Sequence, residues 1–195
     1  MSINFDKSKV LNVNFTSYPL TLIPRLENTH VLKILGVLFN EKLTWTDHFN
    51  FITKKASQRL YVLRILKPVL SHDELVLVFC SIIQSVLDYC SPVFLNCGSG
   101  LNTQLLRVCK RGFRIINGYG ISECNKCNLL NIVDRRNLLA LKLFKTALSS
   151  VDHALHDVLP SFSHRSNRLI LPFVRTTRRA ESFVFRCSYL YNNEL

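Results

Sequence analysis

Glycine and proline are scarce in this chain of 195 residues, six of each, and methionine and tryptophan occur once. No glycine-rich loop follows a predicted strand, which sets aside a phosphate-cradling or dinucleotide-binding fold. No Ser/His/Asp or Cys/His set stands in a recognisable catalytic context either. The longest apolar run, Leu75 to Leu87, is broken by Cys80, Ser81, Gln84 and Ser85. It is shorter than the roughly 20 residues needed to span a bilayer, so it reads as a buried helix and no membrane partner is expected. Met1 to Val10 contains Asp6, Lys7 and Lys9 and has no apolar stretch, so no signal peptide is expected. Acids are few, 13 Asp+Glu, and scattered. Two-metal nucleotidyl transfer needs carboxylates clustered around ions about 4 Å apart. The adjacent pair Asp73-Glu74 is explained as a helix N-terminus, so no catalytic residue, metal site or resident cofactor is expected in this chain.

Bases, by contrast, are plentiful. The 25 Lys+Arg give a formal charge of +12, while 48% of the residues are hydrophobic. That apolar content excludes a disordered basic tail and supports a buried core in one or two domains. A basic chain with a core suggests a polyanionic partner, nucleic acid first. The charge is uneven: residues 101–195 hold fifteen Lys/Arg against six Asp/Glu, and residues 1–100 hold ten against seven.

The seven cysteines are an odd number, and several lie in apolar runs, as in Val78-Phe79-Cys80. Reduced thiols in an intracellular protein, nuclear or cytoplasmic, are the simplest reading. Cys124-x-x-Cys127 with His153 and His156 invites a zinc site. About 25 residues, including a predicted helix, separate the two pairs, so loop cysteines fit better.

The spacing predicts an α+β fold that is mostly α. Lys9 to Phe15 alternates as a strand, Tyr18 to Ile23 follows until Pro24, and Val31 to Phe39 is a third extended element containing Gly36. From Thr46 the period becomes helical, with Phe49, Ile52, Ala56, Leu60 and Leu63 in one stripe. Lys54, Lys55, Arg59 and Arg64 fall outside it, and the helix ends near Pro68. Ser71 and Glu74 form a capping box for a helix over about Asp73 to Tyr89, the expected centre of the bundle. Further helices are predicted over Asn102 to Asn117, closed by Gly118, and over Asp134 to Ser149. Beyond Pro160 the chain carries Arg165, Arg168, Arg175, Arg178, Arg179 and Arg186 with weak periodicity.

The third of these helices carries the sharpest signal. Arg107, Lys110, Arg111 and Arg114 follow i, i+3, i+4, i+7 spacing and share one face, with Leu105, Cys109, Phe113 and Ile116 opposite. Four like charges on one stripe repel, and helix stability alone does not favour them. A phosphate backbone would relieve that repulsion and release counterions.

Several segments, in order, resemble the reverse transcriptases of non-LTR retrotransposons of the jockey type. Leu35-Gly36-Val37 through Leu43-Thr44-Trp45-Thr46-Asp47-His48 is similar to that family's Leu-Gly-Val…Leu-x-Trp-x-x-His signature. Lys55-Ala56 to Leu63 resembles its Lys-Ala-x-x-x-Leu-x-x-Leu helix, and Leu87-Asp88-Tyr89-Cys90-Ser91-Pro92-Val93 its Leu-x-Tyr-x-x-Pro segment. Arg135-Arg136-Asn137-Leu138 matches an Arg-Arg-x-x-Leu helix. Ser182-Phe183 with Leu190-Tyr191-Asn192-Asn193-Glu194-Leu195 resembles the closing segment, with Tyr191 in place of the usual Trp. Asn4-Phe5-Asp6-Lys7-Ser8 resembles the Asn-x-x-Lys-Thr/Ser palm element.

The resemblance implies a palm remnant and primer-grip hairpin over residues 1–44, a thumb-like helical bundle over 45–150 and a basic extension over 151–195. Lys7 would lie near the phosphates of an incoming nucleotide, and Leu35, Gly36 and Val37 would form the primer grip. Arg107, Lys110, Arg111 and Arg114 would track the backbone of an RNA template–DNA primer. The remainder of the polymerase polypeptide would be a partner, supplying the fingers and the paired aspartates that hold Mg²⁺. The isolated chain is expected to be inactive. Two alternatives stand beside this reading: a separate basic helical nucleic-acid-binding module, and a relic of a mobile element without function.

Overall fold

A computed structural model describes residues 8–13, 26–95, 97–118, 131–166, 168–171 and 173–194. The β structure is slight. β1 (Lys9–Val10) pairs in parallel with β2 (Glu27–Asn28), and the Lys9 and Glu27 side chains form an ion pair of 2.9 Å. The strand expected from Lys9 to Phe15 is thus only two residues long within the described part, and the expected strand Tyr18 to Ile23 lies outside it. The extended element that periodicity gives over Val31 to Phe39 is two strands, and the hairpin implied by the resemblance at Leu35-Gly36-Val37 is present: β3 (Val31–Ile34) runs against β4 (Val37–Asn40), with Ile34 opposite Val37. Leu35 and Gly36 turn the chain with φ of 46° and 89°. Positive φ at both central residues is what a two-residue hairpin of matching twist requires.

β4 runs into α1 (Thr46–Leu66) through a tight clasp. The Asn40 side chain donates to Thr44 Oγ1 at 2.7 Å and to Asp47 Oδ2 at 2.8 Å, and accepts from the Thr44 backbone at 2.8 Å. Asp47 also sits in the first turn of α1, where a carboxylate is favoured by the helix dipole. The predicted stripe Phe49, Ile52, Ala56, Leu60 and Leu63 is buried.

Ser71 opens α2 (His72–Val78) with the expected capping box, and its hydroxyl and backbone N–H hold the Glu74 carboxyl below its ordinary pKa. The helix predicted over Asp73 to Tyr89 is not uniform. α2 passes into a π turn over Phe79–Gln84, resumes as α3 (Ser85–Asp88), and Tyr89 has left the helix. Two serines bond back onto the ladder here, Ser81 to the Leu77 carbonyl and Ser85 to the Ser81 carbonyl. Such back-bonding loosens a helix. The Arg59 guanidinium on α1 also donates to the Ile82 carbonyl.

A short 3₁₀ turn (Ser91–Phe94) leads to α4 (Ser99–Asn117), which starts three residues before the expected Asn102 and ends at Gly118, φ 83°. α5 (Ile132–Ser149) is capped by the Asn131 side chain. The weakly periodic tail forms α6 (Thr177–Ala180) and α7 (Phe183–Glu194).

α1, α4 and the α2–π–α3 run enclose the main core, with Phe49, Phe79 and Phe94 buried in it. Each such phenylalanine contributes roughly 1.5–3 kcal/mol by burial. Of the face expected to be apolar on α4, Leu105 and Ile116 are buried, while Cys109 and Phe113 lie at its half-buried edge beside Val108 and Gly112. Gly112 is forced by the crossing: a Cβ there would lie 2.3 Å from Phe79 Cε2. A second cluster joins Ala140, Leu141 and Phe144 of α5 to Leu169 and to Cys187 of α7. Burial pushes the Cys187 thiol up to about 12. The Asn192 amide pairs with both backbone groups of Leu169, at 2.9 and 3.0 Å. The architecture is α+β and mostly α.

Candidate nucleic-acid interface

On α4 the four predicted cations occupy one exposed row. Arg107, Lys110, Arg111 and Arg114 are all exposed, while Leu105, Val108, Gly112 and Ile115 face the core. None of the four is in an ion pair among the described residues. Arg111 lies back along its own helix, its Nε 3.4 Å from the Arg107 carbonyl and its Nη2 3.4 Å from Ser57 Oγ on α1. The contact with Ser57 extends the cationic surface. Lys54, Ser57, Tyr61 and Arg64 share that flank of α1 by helical spacing, and Lys54, Tyr61 and Arg64 are exposed. The arrangement is an uncompensated basic face with an aromatic ring in it, suited to a phosphate backbone and an unpaired base.

The hairpin turn is anchored from behind. Tyr89 Oη donates to the Leu35 carbonyl at 2.7 Å, and a Cβ on Gly36 would sit 3.3 Å from the Tyr89 ring. Leu35 is 85% exposed and projects from the tip, whereas Val37 is 3% exposed and belongs to the core. The three residues expected to act together as a grip therefore divide: Leu35 is available to a ligand, Gly36 permits the turn, and Val37 holds it down. Lys7 lies outside the described residues.

Two buried polar side chains lock this framework. His48, 1% exposed, accepts from the Leu38 N–H through Nδ1 at 3.4 Å, joining hairpin to α1. Burial keeps its pKa below the usual histidine value, so the ring is neutral at neutral pH. Arg136, 3% exposed, lies against both the Phe49 and Phe94 rings, 5.7 and 5.3 Å from their centroids, while the rings meet each other edge to face at 5.4 Å. Its Nη1 donates to Cys97 Sγ at 2.6 Å and to Asn102 Oδ1 at 2.9 Å. Burial raises the Cys97 thiol and the guanidinium opposes that shift. The neighbouring Arg135 instead pairs with Asp88, whose carboxyl is raised by burial and drawn back only partly by the arginine.

A cleft with no counterpart in the sequence pattern lies between the hairpin, α1 and α3. It measures about 380 Å³ and is lined by Lys33, Lys55 and Arg59 together with Phe51, Ser85 and Tyr89. Lys55 and Arg59 were legible as cations off the buried stripe, but nothing in their spacing said that Lys33 would be folded over to meet them.

The Mg²⁺ implied by the resemblance can be tested against the donors present. Glu41 engages His30, Asp47 engages Asn40, Glu74 engages Ser71 and Asp88 engages Arg135. These carboxylates serve separate partners and do not form a metal-bridging set, so no chemical step is derived through Mg²⁺. For the zinc alternative, Cys124 and Cys127 lie outside the described residues. His153 Nδ1 accepts from the Leu155 N–H at 3.1 Å and His156 Nδ1 donates to the Ala147 carbonyl at 3.0 Å. No helix among the described residues is long and apolar enough to cross a membrane. No protein-family model, curated protein or solved structure matches this chain.

Proposed function

We propose that this chain grips template–primer nucleic acid as the primer-grip and thumb region of a non-LTR retrotransposon reverse transcriptase. One observation carries the binding role: the exposed row Arg107, Lys110, Arg111 and Arg114, with no carboxylate paired to it among the described residues. The polymerase assignment rests on the sequence resemblance, with the hairpin ahead of a helical bundle as its structural counterpart. Chemistry would belong to aspartates and Mg²⁺ elsewhere in the polymerase.

The test is anisotropy with a labelled RNA–DNA hybrid and the purified chain. Arg111→Glu/Arg114→Glu should weaken binding at least tenfold, while circular dichroism shows an unchanged fold. Equal affinity of the double variant and the parent would refute the placement of the grip. Primer extension on a primed RNA template with Mg²⁺ should give no product from this chain alone. A separate binding module is the second reading, because the α4 row is not specific to polymerases. It would be favoured by equal affinity for hybrid, duplex DNA and duplex RNA.

A further inference from the structure

α1 carries cations along both flanks of its buried stripe. Lys54 and Arg64 lie on the flank that meets α4, whereas Lys55 and Arg59 lie on the other, with His48 and Ile52. On that second flank the hairpin brings Lys33 across, and the three cations line one cleft of about 380 Å³. No carboxylate among the described residues lines it. Lys33 Nζ is held 5.1 Å from the centre of the Phe51 ring, and Arg59 Nη1 is fixed by the Ile82 carbonyl. The buried His48 also lines the cleft, and its Nε2 has no hydrogen-bond partner among the described residues. With Nδ1 accepting from Leu38, Nε2 carries the proton and is an unsatisfied donor.

Three cations around a half-buried Phe51 ring suit a ligand that is anionic at one end and flat at the other. Like charges brought together repel, and a phosphate group relieves this while satisfying donors. The Phe51 ring offers a flat heterocycle a surface to stack on, and the volume lies in the range of small-ligand pockets. We infer that this cleft is a second, separate binding site that takes a nucleoside phosphate. It does not rest on the α4 row or on the polymerase reading, because the buried stripe of α1 separates the two cationic flanks. A free nucleotide and an unpaired nucleotide within a strand present the same chemistry.

Isothermal titration of the whole chain with AMP, adenosine and inorganic phosphate tests the inference. AMP should bind saturably, adenosine should not, and phosphate should bind more weakly and compete with AMP. Lys55→Glu should weaken AMP at least tenfold and Lys33→Gln several-fold, while Arg111→Glu/Arg114→Glu leaves it unchanged. Both lysines lie outside the core, so thermal melts should match the parent. The two sources separate by competition: a strand with an unpaired nucleotide displaces AMP if the cleft takes part of a strand, and a blunt duplex does not. Failure of AMP to saturate the parent would overturn the site. So would Lys55→Glu binding with parental affinity, or an equal loss in the α4 variant.

Discussion

At Arg136 the guanidinium lies against the paired Phe49 and Phe94 rings, and its hydrogen-bond acceptors are a thiol and an amide, not a carboxylate. Its Nε and Nη2 have no partner among the described residues. A buried charge so held is weak support for stability, and an apolar side chain of similar volume often replaces one without loss. Arg136→Met should therefore stay within about 1 kcal/mol of the parent in urea denaturation. Arg136→Ala, which leaves a cavity beside the ring pair, should lose about 2–4 kcal/mol. Equal losses in both variants would mean that the cation itself holds the aromatic pair together. His48 makes the complementary case. Its folded pKa lies below the unfolded value of 6.5. The unfolded chain takes up the proton first as pH falls, so stability is full above that value and declines below it. Asp88 has the opposite sign, since its raised carboxyl favours the folded state only as pH falls into the carboxylate range. The loss in unfolding free energy between about pH 7 and pH 5 should thus shrink in His48→Gln. A profile as steep as the parent's would show that other groups govern that window. Arg135 and Arg136 also mark what a sequence withholds. One helical step apart, one pairs with Asp88 and the other is buried against the Phe49 and Phe94 rings, and only the packing of α5 against the 3₁₀ turn decides which.

Among the elements, α4 passes the π turn closely at Gly112. Gly112→Ala gains about 1 kcal/mol of helix propensity but sets a methyl against Phe79. Overpacking of this kind costs about 1–3 kcal/mol, so the denaturation midpoint should fall, and Phe79→Leu in the same background should restore part of it. An unchanged midpoint in Gly112→Ala would show that Phe79 swings clear. The elements also divide by how legible they were. α1, α4 and α5 were readable because a 3.6-residue stripe and a closing glycine are local signals. The cationic row on α4 was readable for the same reason. Periodicity alone ran β3 and β4 together, because Gly36 in an apolar run signals a bend without stating a reversal, and the hairpin was legible only through the family resemblance. The π turn left no compositional trace, since it depends on where Arg59 and two serine hydroxyls place their hydrogen bonds. The cleft was invisible because Lys33 and Arg59 are far apart in sequence and meet only after the hairpin folds over.

For the whole molecule, the question is whether nucleic acid responds to a charge of +12 or to a charged face. Arginines stand on both candidates: the α4 row and the tail, where Arg165 and Arg168 are exposed. A diffuse positive field raises encounter rates over the entire surface, whereas a docked row neutralises a fixed number of phosphates. The two differ in salt dependence. Four docked contacts give a slope of log affinity against log salt of roughly −3.6 on duplex DNA, and each lost contact removes about 0.9 of it. Arg111→Glu/Arg114→Glu and Arg165→Glu/Arg168→Glu lower the formal charge of +12 by the same amount. If α4 is the docking face, the first pair flattens the slope by about 2 and the second leaves it nearly unchanged. Parallel loss of slope in both variants would show that net charge, not the α4 face, governs binding. The comparison needs duplex titrations at four or more salt concentrations, because a single affinity confounds steering with contact. A preserved slope in the tail variant with a reduced association rate would assign the tail to steering and α4 to docking, two roles that one excess of charge supplies from different places on the fold.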